Sequence, residues 1–473
     1  MQMLYYPWLV FGIVAVSVFL ATFATSAVNI ALPLITTSLQ TDLLTAQWVL
    51  SGYLLVMVCW LPIAGRIGDM YEPRKIFSIG FGTFVIGSLL CAASYSIIML
   101  IIARLVQAIG TATIMANSNG IIVSSFPAQE RGKVLGMVSS IAALGAVAGP
   151  SIAGIFIGVF GWKSIFLFMM PIGVFGFIAT RIVLPSDRKP PRENFDYIGS
   201  VLFTIMMVCL LLLICYGLQW SWEKQVVMNL IWVFTLGMFI CQEHKCSAPM
   251  LDLEILKIHA FLTGNISGML SWIVFSFNII SLPLFLQTVL TLSITNVGFM
   301  MSVCPIVMTI VAPLCGKLSD KVGAHRLTTI GLGLLAIGSY YSTSFTGETI
   351  LLNIVAAQVI IGLGNGFFQA PNNSIIMSSV TAARLGIAGG INALFRFLGL
   401  AIGTTITIAI FEYYRIANIT KVMPGNPEIN TSFVSGYQTA MFIAGSLAII
   451  GAILSLQKEK SKIPNLSKLF RGK

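Results

Sequence analysis

The chain has 473 residues, of which 57% are hydrophobic and 9% charged, against roughly 25% charged in a typical soluble domain. Together with a mean hydropathy of +0.93, this composition excludes a water-soluble fold and describes a polytopic helical membrane protein. The net charge of +11 falls in short gaps between apolar runs, which argues against nucleic acid as a partner and for a topological origin of the charge.

A hydrocarbon core about 30 Å thick needs about 20 helical residues. Cutting the chain at charges, Gly/Pro and polar clusters predicts fourteen spans: residues 8–32, 44–64, 76–95, 97–124, 134–160, 164–184, 197–218, 225–242, 260–288, 295–315, 327–346, 350–380, 386–411 and 433–457. No Lys or Arg precedes residue 42, so the first run lacks the basic region of a secretion signal and reads as a retained span. It carries Asn29, four residues before Pro33.

The turn after the second span places Gly65, Asp69, Arg74 and Lys75 in order. Glycine permits a sharp turn, and the acid either caps the next helix or bonds basic groups of a neighbouring bundle, a latch made in one access state and broken in the other. The fourth span holds Arg104, Gln107, Gly110, Asn117 and Asn119. In the fifth span Gly145, Gly149, Gly154 and Gly158 form a small-residue stripe that admits a close neighbour, and Pro150 frees a carbonyl. Residues 185–257 hold a polar segment, two further spans and a polar exit.

From there the plan repeats. Asn278 to Pro283 echoes Asn29 to Pro33, Gly316, Asp320 and Arg326 echo the first charged turn, and Gln358 with Gly362 and Gly364 echoes Gln107 with Gly110, at offsets of 249 to 251. Two six-span bundles with one direction follow, as in parallel transporter repeats. The twelfth span adds Asn365, Gln369, Asn372 and Asn373; the thirteenth adds Asn392 and Arg396. A buried Arg costs about 2.5 to 3.5 kcal/mol on insertion scales, which makes Arg104 and Arg396 functional candidates. With the N-terminus inside, the cytoplasmic gaps together with Arg181 at the cytoplasmic end of the sixth span hold 21 basic residues and the outer gaps four, the asymmetry of the positive-inside rule.

Other chemistry is thin. Most of the eight cysteines fall in apolar runs and read as packing residues, and Cys241, His244 and Cys246 lack the second ligand pair of a zinc site, so no metal is expected. Glycine patterns at 331–336 and 362–366 lie inside predicted spans with no preceding strand, and no hydrolase motif occurs, so no enzyme is expected.

These features together make the chain resemble the major facilitator superfamily and, within it, the fourteen-span drug:proton antiporter branch, over nearly its whole length. The resemblance implies an all-α membrane fold of two six-helix bundles plus two inserted helices. The divisions would be 1–184, a connector at 185–257, 258–457, and a basic cytoplasmic tail at 458–473. It assigns gating to Gly65, Asp69, Arg74, Gly316, Asp320 and Arg326, and the antiporter motif to Gly145, Gly149, Pro150 and Gly154. It also identifies Asp196, Tyr197 and Gly199 with the family's entry to the seventh span.

Spans 1, 4, 9 and 12 would surround the cavity. Candidate lining residues there and on span 13 are Asn29, Arg104, Gln107, Asn117, Asn278, Gln369, Asn372, Asn373 and Arg396. The sequence departs from the pattern at Glu72, Pro73 and Ala108, and Ala24 replaces the first-span acid. All sixteen carboxylates map to loops or span ends, with Glu412 nearest to being embedded. Two buried Arg without a buried acid favour anionic or uncharged amphiphiles over dications.

The implied activity is export of small amphiphilic compounds, multidrug or antibiotic efflux, by alternating access. It would be proton-linked, with the proton gradient as energy source and no cofactor. Export or facilitated movement of an endogenous lipid-like or anionic metabolite is the alternative within transport, and a non-transporting membrane sensor the alternative outside it. The expected setting is a monomer in the cell membrane, contacting lipid and a small-molecule substrate, with both termini cytoplasmic. Cysteines introduced at Asn426 and Ser467 are expected to label from outside and inside respectively; labelling of both from one side would contradict the fourteen-span topology.

Overall fold

The computed structural model describes residues 2–184, 195–217, 220–246, 253–381, 385–419 and 428–457; the basic tail 458–473 lies outside the described residues. Among the described residues there are helices and no strands. In order they are α1 (Gln2–Ser38), α2 (Leu43–Ala46), α3 (Trp48–Met70), α4 (Pro73–Ala93), α5 (Ile97–Ser125), α6 (Ala128–Phe160), α7 (Ser164–Val183) and α8 (Tyr197–Tyr216). They continue as α9 (Trp222–Lys245), α10 (Leu253–Leu256), α11 (His259–Thr288), α12 (Ile294–Val322), α13 (Ala324–Ser342), α14 (Leu351–Ser378), α15 (Leu385–Ile419) and α16 (Glu428–Gln457). Thirteen are long and apolar enough to cross a membrane. The helix α13, 19 residues long, covers about 28 Å at 1.5 Å per residue and packs between α14 and α16.

Helix ends follow local chemistry. Asp42 accepts from the Thr45 amide at 2.8 Å and starts α2, and Ser96 accepts from the Met99 amide at 3.3 Å and starts α5. Glu72 is the N-cap residue of α4 and Pro73 its first helical residue, where a missing N–H costs nothing. The departure from the family pattern at 72–73 is therefore a helix start. Gly323, at φ 97°, separates α12 from α13 in a conformation that a side chain would strain.

The helices α1 and α3–α7 pack as one bundle and α11–α16 as another. Between the bundles, α6 packs on α12 and α15 packs on α3. The fifth long helix of each bundle thus meets the second of the other, the arrangement a two-fold relation requires. The α6–α12 seam is a contact of backbones: a Cβ at Gly298 would stand 2.5 Å from the Pro150 carbonyl oxygen, and one at Gly154 would stand 3.1 Å from Gly298 Cα. Ser151 and Ser302 hydroxyls bond across it, and Thr295 Oγ1 donates to the Gly154 carbonyl at 3.2 Å.

Across the other seam Thr405 Oγ1 donates to Ser51 Oγ at 3.4 Å. Near the bundle axis Gln287 Nε2 donates to the Ile30 carbonyl at 3.1 Å. These ties all lie in the half of the molecule remote from the end that carries the turns at 71–72 and 323, called here the basic end. The inserted pair α8–α9 packs with α8 against α3 and α15, and Trp48 Nε1 donates to the Tyr216 hydroxyl at 2.7 Å.

A Ser151→Cys/Ser302→Cys pair is expected to crosslink on oxidation and, under the alternating access that the resemblance implies, to halt transport by tying the two bundles together. A Ser17→Cys/Ser118→Cys pair, whose parent hydroxyls stand 3.1 Å apart within the first bundle, is expected to crosslink without halting it. Full flux through a crosslinked 151/302 pair would show that this seam stays closed throughout the cycle.

Candidate functional site

The two membrane arginines have opposite surroundings. Arg104 is 1% exposed. Its Nε donates to the Val49 carbonyl at 3.1 Å, its Nη1 donates to Gln107 Oε1 at 2.5 Å, and its Cζ stands 3.9 Å from the Tyr53 ring centroid. Gln107 Nε2 in turn donates to Ser88 Oγ at 2.8 Å, and the Tyr53 hydroxyl bonds Thr111 Oγ1 at 3.0 Å. One network therefore joins α3, α4 and α5 with a neutral set of acceptors and a π face in place of a carboxylate. Arg104 and Gln107 are sealed inside the first bundle and face no open space.

Arg396 is half-buried on α15. Its guanidinium lies 4.7 Å from the Phe397 ring centroid and 5.8 Å from that of Trp272 on α11. Among the described residues it makes no hydrogen bond and no ion pair. Glu412 is buried on the same helix, but sixteen residues of helix separate them by about 24 Å. One turn from Arg396, Asn392 Nδ2 donates to Asn373 Oδ1 on α14 at 2.9 Å. One turn from Asn373, Gln369 Nε2 reaches Ser271 Oγ on α11 at 3.4 Å. Ser271, Trp272, Gln369, Asn373, Asn392 and Arg396 thus form one polar and aromatic face where α11, α14 and α15 converge.

The other candidates divide. Asn278 and Gln358 exchange two amide hydrogen bonds of 2.9 Å and are buried, so both are satisfied within the second bundle. Asn372 Nδ2 donates to the Gly264 carbonyl at 3.1 Å, which turns it into the α11–α14 contact and away from its neighbour Asn373. Asn117 Nδ2 donates to the Ala64 and Thr113 carbonyls at 3.1 and 2.8 Å, and its carboxamide fills the place a side chain at Gly68 would take. Asn29, repeat partner of Asn278, is buried on α1 and makes no hydrogen bond among the described residues.

At the basic end the side chains of Asp69 and Asp320 lie outside the described residues. Gly65 and Gly316 face Ala116 and Ala370, 3.9 and 3.8 Å from where a Cβ would stand. Arg74 and Arg326 occupy the first turns of α4 and α13. The stripe on α6 divides between two neighbours: Gly145 and Gly149 press on Thr22 and Ser26 of α1, while Pro150, Gly154 and Gly158 face α12. Asp196 caps α8, accepting from the Gly199 amide and from Gln242 Nε2 of α9, both at 2.9 Å, and a side chain at Gly199 would collide with the Asp196 carboxylate.

The architecture and its repeated seams agree with comparison to known proteins. The Major Facilitator Superfamily description matches residues 14–242 and 260–471. The chain belongs to that superfamily. It is 30% identical over 450 residues to the riboflavin transporter RibZ of Clostridioides difficile, covering 95% of this chain and 97% of that protein. It is 26% identical over 395 residues to the multidrug resistance protein Stp of Mycobacterium tuberculosis, covering 83% of this chain and 73% of that one.

Its fold is similar to a solved bacterial homolog of the human lysosomal transporter Spinster in an inward-facing, unoccupied conformation. The TM-score is 0.69 at 17% identity, covering 97% of this chain and 99% of that one. A facilitator fold places a substrate path between its two bundles, and the face around Arg396 is a polar surface with unused hydrogen-bonding capacity.

Several structural residues escaped sequence reasoning. Gly80 and Gly331, and Gly87 and Gly338, stand 251 apart and seat the third long helix of each bundle on the fourth. Ser51 and Ser302 stand at the same offset, and each bonds the fifth long helix of the opposite bundle. The repeat offset held that signal. Gln47, at the position corresponding to Gly298, is 1% exposed and both its amide atoms lack a partner.

Losing one partner of a buried charged network costs about 3 to 5 kcal/mol, so Arg104→Gln is expected to lower the thermal unfolding midpoint in detergent markedly. Arg396→Gln breaks no bond and is expected to leave that midpoint nearly unchanged. Equal shifts for the two variants would remove the distinction drawn between them.

Proposed function

We propose that the chain is a secondary transporter that exports small amphiphilic compounds across the cell membrane by alternating access, driven by the proton gradient. The observation that carries the proposal is a polar, aromatic face with an unpaired cation where α11, α14 and α15 of the second bundle converge, in a molecule whose two bundles are tied in the half remote from the basic end. The excess of basic residues puts the basic end in the cytoplasm, and substrate reaches the Arg396 face from that side. Closing the basic end and parting the two seams completes the exchange, with the turns around Asp69 and Asp320 as the contacts remade. Both seams lie within one chain, so a monomer suffices.

The multidrug relative Stp supports the efflux reading. The riboflavin relative RibZ supports a second one, movement of a planar endogenous metabolite, and the neighbouring Trp272 ring and Arg396 guanidinium favour planar solutes in either case. Proton linkage is assigned to Glu412, the buried carboxylate on α15, since Ala24 occupies the place of the first-span acid.

The test is flux in proteoliposomes of riboflavin and of a panel of uncharged, anionic and dicationic amphiphiles, with and without an imposed pH gradient. Uptake of uncharged or anionic compounds that rises several fold with the gradient is expected, and Glu412→Gln is expected to remove the gradient dependence while leaving exchange at equal pH. Gradient-independent flux would favour facilitated movement. Saturable binding without flux would favour a sensor.

A further inference from the structure

We propose that the Arg396 face is a recognition site for planar aromatic compounds that carry a carboxylate, with the guanidinium as the anchor of the carboxylate and Trp272 as the stacking platform. The inference rests on the transport reading for its biological use, but it concerns binding and stands or falls on binding.

A guanidinium has five N–H donors in a planar fork and stays protonated. Arg104 shows how this fold settles such a group when its role is structural: a carbonyl, an amide oxygen and a tyrosine ring take up its donors and its face. Arg396 has received the ring contacts and none of the acceptors. The residue is only partly buried, and among the described residues its donors are unused. A carboxylate answers the fork with two parallel charge-assisted hydrogen bonds.

Neighbouring side chains define the rest of the ligand. Trp272 and Phe275 meet edge to face with centroids 5.6 Å apart, making an apolar corner beside the guanidinium that suits a flat ring system. The Asn392 to Asn373 bond uses one donor and one acceptor. Asn373 Nδ2 and Asn392 Oδ1 stay available for polar groups on the ring's rim. No carboxylate among the described residues pairs with Arg396, so a cationic ligand finds a like charge there and no counter-charge. The seat lies in one bundle, between α11, α14 and α15, and is present before the bundles close.

Pyrene probes of matched shape test this with purified full-length protein in detergent: pyrenebutyrate, pyrenebutyramide and pyrenebutyl-trimethylammonium, each followed by its fluorescence change on binding. Wild type is expected to bind the carboxylate at least about tenfold more tightly than the cation. Arg396→Gln, checked for a monodisperse folded state, is expected to weaken the carboxylate about tenfold and the amide less than about twofold. Arg396→Lys, which keeps the charge and loses the fork, is expected to recover part of the carboxylate affinity. Trp272→Leu is expected to weaken carboxylate and amide alike.

Unchanged pyrenebutyrate affinity in Arg396→Gln, preferred binding of the cation by wild type, or no saturable binding of the carboxylate would each overturn the proposal. Arg396-dependent binding without flux in proteoliposomes would leave this site standing and remove the transport reading. Flux of amphiphiles together with pyrenebutyrate binding that is unchanged in Arg396→Gln would do the reverse.

Discussion

Two helix backbones that touch need a residue without a side chain at the point of contact, and this molecule depends on that constraint at repeated places. Within the first bundle, Gly80 and Gly87 seat α4 on α5; within the second, Gly331 and Gly338 seat α13 on α14. Between the bundles, Gly154 and Gly298 do the same for α6 and α12. Lipid tails are as apolar as leucine, so apolar burial gives membrane helices little reason to associate, and dispersion at close range with hydrogen bonds across the contact takes its place. The hydroxyls flanking the glycines supply those bonds, as Thr295 does on the Gly154 carbonyl.

The same constraint explains how much of the fold was legible beforehand. Apolar runs of membrane length, interrupted by Glu72-Pro73, Gly161 and Gly323, put helices where helices stand, because a bilayer offers an unpaired backbone no solvent. The repeat offset of 249 to 251 correctly implied two bundles of one plan. Partners were not legible. Sequence spacing says that Gly145 and Gly154 share a stripe, but nine residues turn the helix through two and a half turns, so one faces α1 and the other α12.

Site residues were legible by type, and their environments were not. Arg104 and Arg396 look alike as charges inside apolar runs. Their difference comes from residues far away in sequence: Val49, Tyr53 and Ser88 surround the network of Arg104, whereas Trp272 is the long-range neighbour of Arg396 and offers only a ring. Asn278 and Gln358 were both conspicuous polar residues in apolar runs, and their reciprocal bonds cancel the reason for notice. A polar residue inside a membrane helix marks either a completed bond or an available one, and only the fold separates the two.

The inserted pair α8–α9 leaves the molecule with unlike flanks. The helix α8 lies along α3 and α15, so one seam is backed by protein, while among the described residues no further helix backs the seam of α6 and α12. The bare seam is the glycine contact; the backed seam carries the unpartnered Gln47 amide at the position where the other has Gly298. Lipid therefore lies directly against one seam and is kept from the other by the inserted pair. The surface that the bilayer meets thus differs from flank to flank, an asymmetry that the twelve-helix core alone does not possess.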